Sequence, residues 1–173
     1  GLMAMTGISF VVGKRTIIEQ SKTYPKRSYY CNLYMQYHYF EAHGEMHFTP
    51  PVQTVYAMRQ AIKEYFAEGE QKKWERHTRV FEALHKGIER LGFQNIIKRD
   101  WQAGLVVTVK YPDDPNWSFS AIHDYCYKRG FTIYPGKINN TETFRLCALG
   151  AIDQSDIETF FEVFEAGLRE MAV

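Results

Sequence analysis

Three stretches of the chain repeat apolar residues at the three- and four-residue spacing of an amphipathic helix. They cover residues 52–66, 70–91 and 154–168. Asp153 directly precedes the third stretch and is a residue type that caps helix N-termini. A shorter helix is predicted to start at Ser118 or Ser120 and to end near residue 130, and the polar stretch 14–22 is a candidate for another.

Short apolar runs bounded by glycine or proline predict strands. They are 8–12, 105–111, 131–134 and 143–149, with a weaker candidate at 94–98. From residue 71 onward the order of elements is α, β, β, α, β, β, α. That order predicts an α+β fold, with helices packed on one face of a small, mostly antiparallel sheet.

The run 8–12 is predicted to be a buried strand, yet it follows the chain start with almost no lead-in. The chain also starts at Gly1 rather than at a methionine. We therefore expect the chain to be cut from a longer protein. A cloning scar that supplied Gly1 is the alternative explanation.

The composition excludes several classes of function. The 21 basic and 20 acidic residues give a net charge of +1, so nothing predicts a nucleic-acid partner. No stretch approaches the roughly 20 apolar residues of a membrane span. The three cysteines are odd in number and widely spaced, which favours free thiols in a cytoplasmic protein over a zinc site or a disulfide framework.

Arg145 is a lone cation within the apolar run 143–149. Burying a charge without a partner is strongly unfavourable, and the planar guanidinium suits a carboxylate or phosphonate held by two parallel hydrogen bonds. Arg145 is therefore a candidate anion ligand. The alternatives are an internal Asp or Glu partner, or a side chain whose head reaches solvent.

Three further parts of the chain are candidates for function. Thr49 stands at a predicted helix N-terminus, where its hydroxyl would bind a phosphate or simply cap the helix. The segment 41–47 places His43 and His47 four residues apart, but Gly44 between them argues against one helical face, so we predict a polar loop and no metal site. The aromatic segment 28–43 is predicted to line a pocket or an interface.

Five short runs resemble the C-terminal half of the class V aminotransferases, which are fold-type I pyridoxal-phosphate enzymes. They are FTIYPGK at 131–137, FRLC at 144–147, FTPPVQT at 48–54, KYPDDP at 110–115 and WSFS at 117–120. The likeness extends over essentially the whole chain, and the YPGK run is the most specific piece. Within the family it is greatest to the members that move an amino group from 2-aminoethylphosphonate to pyruvate.

The resemblance implies a function and a set of site residues. Pyridoxal 5'-phosphate would be the cofactor and the intact protein a homodimer, with Arg145 binding the carboxylate or phosphonate of the substrate. Thr49 would reach the cofactor phosphate of the partner subunit. Residues 1–50 would be the end of the large cofactor-binding domain and residues 51–173 the C-terminal small domain.

The resemblance also implies what this chain lacks. The lysine that forms the Schiff base with the cofactor falls just upstream of Gly1, so we expect no catalytic residue in the chain and no transaminase activity from it alone. Two positions depart from the family pattern: Met46 stands where an aromatic residue is common, and Cys147 where glycine is common. The alternative from another class is a non-enzymatic module that binds a small anion through Arg145 or that only dimerises.

Overall fold

The computed structural model describes residues 2–136, 138 and 140–173. The chain forms two compact units, residues 2–64 and 65–173. The predicted division into domains at residue 50 remains a prediction, since compactness alone does not define the domains of a larger protein.

The unit of residues 2–64 is helical. It contains α1 (Arg15–Gln20), a 3₁₀ turn (Ser21–Thr23), α2 (Leu33–His43) and most of α3 (Val52–Glu68). The Asn32 side chain caps α2 by accepting the Met35 N–H at 2.9 Å, and Gly44 ends it in the left-handed conformation with φ 69°.

The prediction of a buried strand at residues 8–12 is wrong. This segment lies outside every helix and strand, and its residues from Ser9 to Val12 are exposed, Phe10 to 73% and Val12 to 89%. A strand requires a neighbour that accepts and donates its backbone hydrogen bonds. Within the described part of the chain no segment pairs with residues 8–12.

The unit of residues 65–173 contains a three-stranded antiparallel sheet covered by helices. The strands are β1 (Val106–Lys110), β2 (Tyr134–Pro135) and β3 (Thr143–Cys147). The helices are α4 (Glu70–Arg90), α5 (Phe119–Tyr127) and α6 (Gln154–Met171), with a 3₁₀ turn at Arg99–Trp101. The strand order is β1-β3-β2, so the last strand of the sequence is the central strand of the sheet.

The core lies between this sheet and its helices. Val107, Val109, Phe144 and Leu146 point to one face of β1 and β3, and all four are buried. On the other face of β3, Arg145 and Cys147 are half-buried and Thr143 is buried. The Phe144 ring stacks on Phe164 of α6 at 5.9 Å between centroids. The predicted α+β fold, with helices on one face of a small antiparallel sheet, is confirmed.

The capping residues predicted from the sequence mark the starts of α5 and α6 correctly. The Ser118 hydroxyl accepts the Ala121 N–H at 3.3 Å, and Asp153 and Asp156 form a reciprocal capping box at the start of α6. The weak strand predicted at 94–98 is not formed, since this segment makes only a single antiparallel bridge between Asn95 and Val109. No helix in the described ranges has the length and apolar character needed to cross a membrane.

Candidate anion-binding site

Arg145 occupies the middle of the central strand β3. In the antiparallel register it stands directly opposite Thr108 of β1 and Tyr134 of β2. Side chains of opposite residues lie on the same face of a sheet, so these three form one row. Because Phe144 and Leu146 point into the core, the row lies on the face away from the helices.

One contact anchors the Arg145 guanidinium. Its Nε donates a hydrogen bond to the Pro135 carbonyl oxygen at 3.1 Å, which turns the side chain toward β2. Within the described ranges no carboxylate lies within 4.0 Å of the guanidinium. The two terminal nitrogens therefore retain N–H groups that suit a bidentate anion.

A second row lies next to the first, two residues along each strand. Lys110 of β1 pairs with Thr143 of β3, and the Gly136 N–H donates to the Thr143 carbonyl oxygen at 2.6 Å. Thr143 is only 3% exposed, and its Oγ1 has no hydrogen-bond partner among the described residues. Gly136 leaves room for Thr143, because a Cβ at position 136 would overlap it.

An apolar cleft of about 380 Å³ opens between β2, β3 and the helices α4 and α6, and Arg145 is among its lining residues. Its walls are mainly aromatic and aliphatic, and they include Phe131, Leu146, Leu149, Ile152 and Phe160. Cys147 also lines the cleft, and burial raises the pKa of its thiol, which keeps the sulfur neutral. Asp156 of α6 also lines the cleft, where its carboxylate accepts the Asp153 N–H at 2.8 Å. The lining thus combines Arg145 and this carboxylate with a largely apolar wall.

The loop that follows β3 is fixed by Arg76 of α4. Its Nη1 donates to the carbonyl oxygens of Gly150 at 3.2 Å and Ile152 at 3.1 Å. The Arg76 Nε also donates to Glu68 Oε1 at 2.8 Å. These bonds satisfy the loop carbonyls beside the cleft with a charged donor, which makes them stronger than neutral hydrogen bonds.

Thr49 lies in the other unit and is exposed. The prediction that it caps α3 is wrong, because the helix begins at Val52 and the Val52 N–H bonds to the Pro50 carbonyl oxygen at 2.9 Å. The two prolines separate Thr49 from the helix start. Its hydroxyl makes no hydrogen bond with any residue that the structure describes, so it is available to an external acceptor or donor.

The segment 41–47 has an aromatic environment. His43 is the last residue of α2 and His47 lies beyond its end, so the two do not share a helical face. Their rings pack against Tyr39 at 4.4 Å and 4.8 Å between centroids. His47 also contacts Phe48 at 4.5 Å, which orders the residue next to Thr49.

Sequence reasoning identified Arg145 but not its neighbours. Lys110 and Tyr134 share its face of the sheet, yet nothing local to either residue indicates this. The alternation in VVTVK at 106–110 does place Thr108 and Lys110 on one face of β1. Only the register with β3 brings that face beside Arg145.

The curated proteins that resemble the chain include several 2-aminoethylphosphonate–pyruvate transaminases. No family model matches the chain. It is 35% identical over 168 residues to 2-aminoethylphosphonate–pyruvate transaminase 1 of Cupriavidus pinatubonensis, which covers 96% of this chain and 44% of that protein. It is also 35% identical to 2-aminoethylphosphonate–pyruvate transaminase 2 of Paraburkholderia xenovorans, over 90% of this chain and 42% of that protein.

Solved structures share the fold at lower identity. The pyridoxamine–pyruvate aminotransferase of Mesorhizobium loti matches 92% of this chain and 42% of its own, with a TM-score of 0.77 and 15% identity. The ureidoglycine–glyoxylate aminotransferase of Bacillus subtilis matches 89% of this chain and 40% of its own, with a TM-score of 0.72 and 19% identity. The chain spans less than half the length of each of these proteins.

Proposed function

The chain belongs to the class V aminotransferase family, and we propose that it is the C-terminal part of a pyridoxal-phosphate-dependent transaminase. The reaction moves the amino group of 2-aminoethylphosphonate to pyruvate and gives phosphonoacetaldehyde and alanine. The relatives' names motivate the choice of amino donor.

The observation that carries the proposal is the position of the Arg145 guanidinium and its lack of a carboxylate partner among the described residues. It sits on the open face of the sheet, its Nε is tied to Pro135, and its terminal nitrogens meet no carboxylate among the described residues. Both substrates end in an anion, a phosphonate in the donor and a carboxylate in pyruvate. One guanidinium serves each in turn, because its planar pair of N–H groups fits either kind of oxygen.

Thr49 fits the cofactor's phosphate in part. Its exposed hydroxyl is not used by the described residues, and the Thr49 of one subunit would contact the cofactor of the other in a homodimer. A phosphate needs several donors, so most of its ligands come from outside this chain. Bound pyridoxal phosphate would supply the electron sink that amino-group transfer requires.

The proposal includes the boundaries of the parts. Residues 1–50 complete the large cofactor-binding domain and residues 51–173 form the small domain, which carries Arg145. The lysine that anchors the cofactor lies just before the position that matches Gly1. The role of this chain is then to bind and orient the anionic end of each substrate.

The first test uses the full-length protein that carries this chain. Alanine formation from 2-aminoethylphosphonate and pyruvate is measured for the parent protein, for Arg145→Gln and for Arg145→Lys. Arg145→Gln should raise KM for both substrates at least tenfold, and Arg145→Lys should restore only part of the loss, since lysine lacks the bidentate fork. Arg129→Gln, which removes a cation stacked on Tyr125, is the matched control and should leave KM unchanged.

Two results would contradict the proposal. One is an Arg145→Gln variant with unchanged KM for both substrates. The other is a steady rate of alanine formation by the 173-residue chain alone, above a blank without protein. Tight phosphonate binding by that chain, lost in Arg145→Gln, together with no turnover by the full-length protein would favour the binding-module alternative.

A further inference from the structure

We propose that Lys110 is a second cation of the Arg145 site and makes it selective for a doubly charged tetrahedral oxyanion over a singly charged carboxylate. This inference rests on the proposed role of Arg145 and names the class of ligand that the site prefers. A phosphonate and a phosphate share the required chemistry.

The register of the sheet places the two cations together. Lys110 is opposite Thr143, and Arg145 is the next residue of β3 on the same face. Such diagonal neighbours have Cα atoms roughly 7–8 Å apart, within reach of long side chains. The burial pattern along β1 agrees, because Val107 and Val109 are buried while Thr108 and Lys110 are not.

Small side chains separate the large ones on this face. Thr108 and Thr143 lie between Lys110 and Arg145, and Gly136 adds no side chain beside Thr143. Tyr134 stands on the far side of Arg145 with an exposed ring. The bond to Pro135 turns the Arg145 head toward β2, so an anion that also meets Lys110 of β1 would lie across the threonines between the two cations.

This face carries positive charge without a compensating carboxylate. The residues of the three strands that share it are Val106, Thr108, Lys110, Tyr134, Thr143, Arg145 and Cys147. None of them is acidic, and within the described ranges Lys110 forms no ion pair. Glu142 directly precedes Thr143 and Asp113 follows Lys110 by three residues, but within the described ranges neither carboxylate forms an ion pair with Lys110.

An exposed lysine on an outer strand has an ordinary explanation, since charge on such strands prevents aggregation. The two explanations predict different ligand preferences. A charge about 6 Å from an anion in water changes affinity by about threefold for each unit of charge on that anion. Removing Lys110 should therefore lower the affinity for a dianion by about tenfold and the affinity for a monoanion by about threefold.

The experiment measures binding of two small probes, methylphosphonate and acetate, to the full-length protein that carries this chain, by ligand-observed NMR titration at low salt and pH 8.5. The variants are Lys110→Gln, Lys110→Arg and Arg145→Gln, with Lys72→Gln on the exposed surface of α4 as the matched control. The titration is repeated at pH 5.5, where a phosphonate keeps its second proton, as a phosphate ester does below about pH 6.

We expect Lys110→Gln to lower the affinity for methylphosphonate about tenfold at pH 8.5 and by no more than about threefold at pH 5.5. The affinity of Lys110→Gln for acetate should fall by no more than about threefold at pH 8.5. Lys110→Arg should bind methylphosphonate as the parent does. If Arg145→Gln weakens both probes but Lys110→Gln behaves like Lys72→Gln, the inference is overturned and the proposed role of Arg145 stands. If Arg145→Gln weakens neither probe, the proposed anion site itself fails and the role of Lys110 fails with it.

Discussion

Replacing Gly136 by alanine should distort the ladder that holds Arg145 in place. The added Cβ would lie 2.7 Å from the Thr143 Cβ and 2.8 Å from the Thr143 carbonyl oxygen, and closer still to Oγ1. Rotation about χ1 of Thr143 moves Oγ1 but neither of the other two atoms. The two strands therefore have to separate by about 0.6 Å at this point to reach the 3.4 Å of ordinary contact.

The change in the free energy of unfolding is the sum of one stabilising and two destabilising contributions. Alanine restricts the unfolded chain and stabilises the protein by about 0.4–1 kcal/mol. Overpacking costs about 1–3 kcal/mol, and weakening the Gly136 N–H bond to Thr143 costs about 0.5–1.5 kcal/mol more. The destabilising contributions win, with a net loss of about 2 kcal/mol, or about 4–8 °C in Tm for a chain of this length.

The assay is urea unfolding of the 173-residue chain, followed by circular dichroism, for the parent, Gly136→Ala, Thr143→Gly and the double variant Thr143→Gly/Gly136→Ala. The Thr143→Gly background removes two of the three overlapping atoms, so Gly136→Ala should cost at least about 1 kcal/mol less there. Gly13→Ala is the matched control, since its Cβ would meet Ile18 at an ordinary 3.5 Å. Parent-like stability of Gly136→Ala, or an equal loss in both backgrounds, would refute the reasoning.

Three further predictions concern the core, the charged cluster and the thiols. Phe164→Ala, at a site 1% exposed, should lower the free energy of unfolding by about 3–5 kcal/mol in urea titrations, and a loss below about 1 kcal/mol would contradict its place in the core. The hydrogen bond from Arg76 lowers the pKa of Glu68, so this carboxylate stabilises the fold above its ordinary pKa of 4.5 and loses that contribution as the pH falls below it. Glu68→Gln should therefore flatten the fall of stability between about pH 5 and pH 3, and an unchanged slope would argue against the pair. Burial raises the pKa of Cys126 to about 11, so a thiol reagent at pH 8 should modify the exposed Cys31 first, and equal rates in the folded protein would disprove the burial.

The helices of residues 65–173 could be predicted because their signals are local. The apolar period at 70–91 and 154–168 and the caps Ser118 and Asp153 each act within a few residues. The strand predicted at 8–12 failed because apolar residues alone do not make a strand. A strand needs a pairing partner, and no local pattern supplies one.

The candidate site shows the same limit. Arg145 could be singled out because a lone cation in an apolar strand is unusual wherever the strand lies. Lys110 and Tyr134 could not be placed beside it, because they are 35 and 11 residues away in sequence and only the register of the sheet brings them together. The prediction that Thr49 caps α3 failed because Pro50 and Pro51 precede the helix, which begins at Val52.

The strand order β1-β3-β2 has a consequence for how the chain is made. A ribosome synthesises β1 and β2 first, but neither strand pairs with the other, so both wait for Thr143–Cys147 to emerge. Residues 94–96 can already bond to one edge of β1, but its other edge stays open to non-native pairing until β3 emerges. The same late strand that delivers Arg145 is therefore the one that completes the sheet.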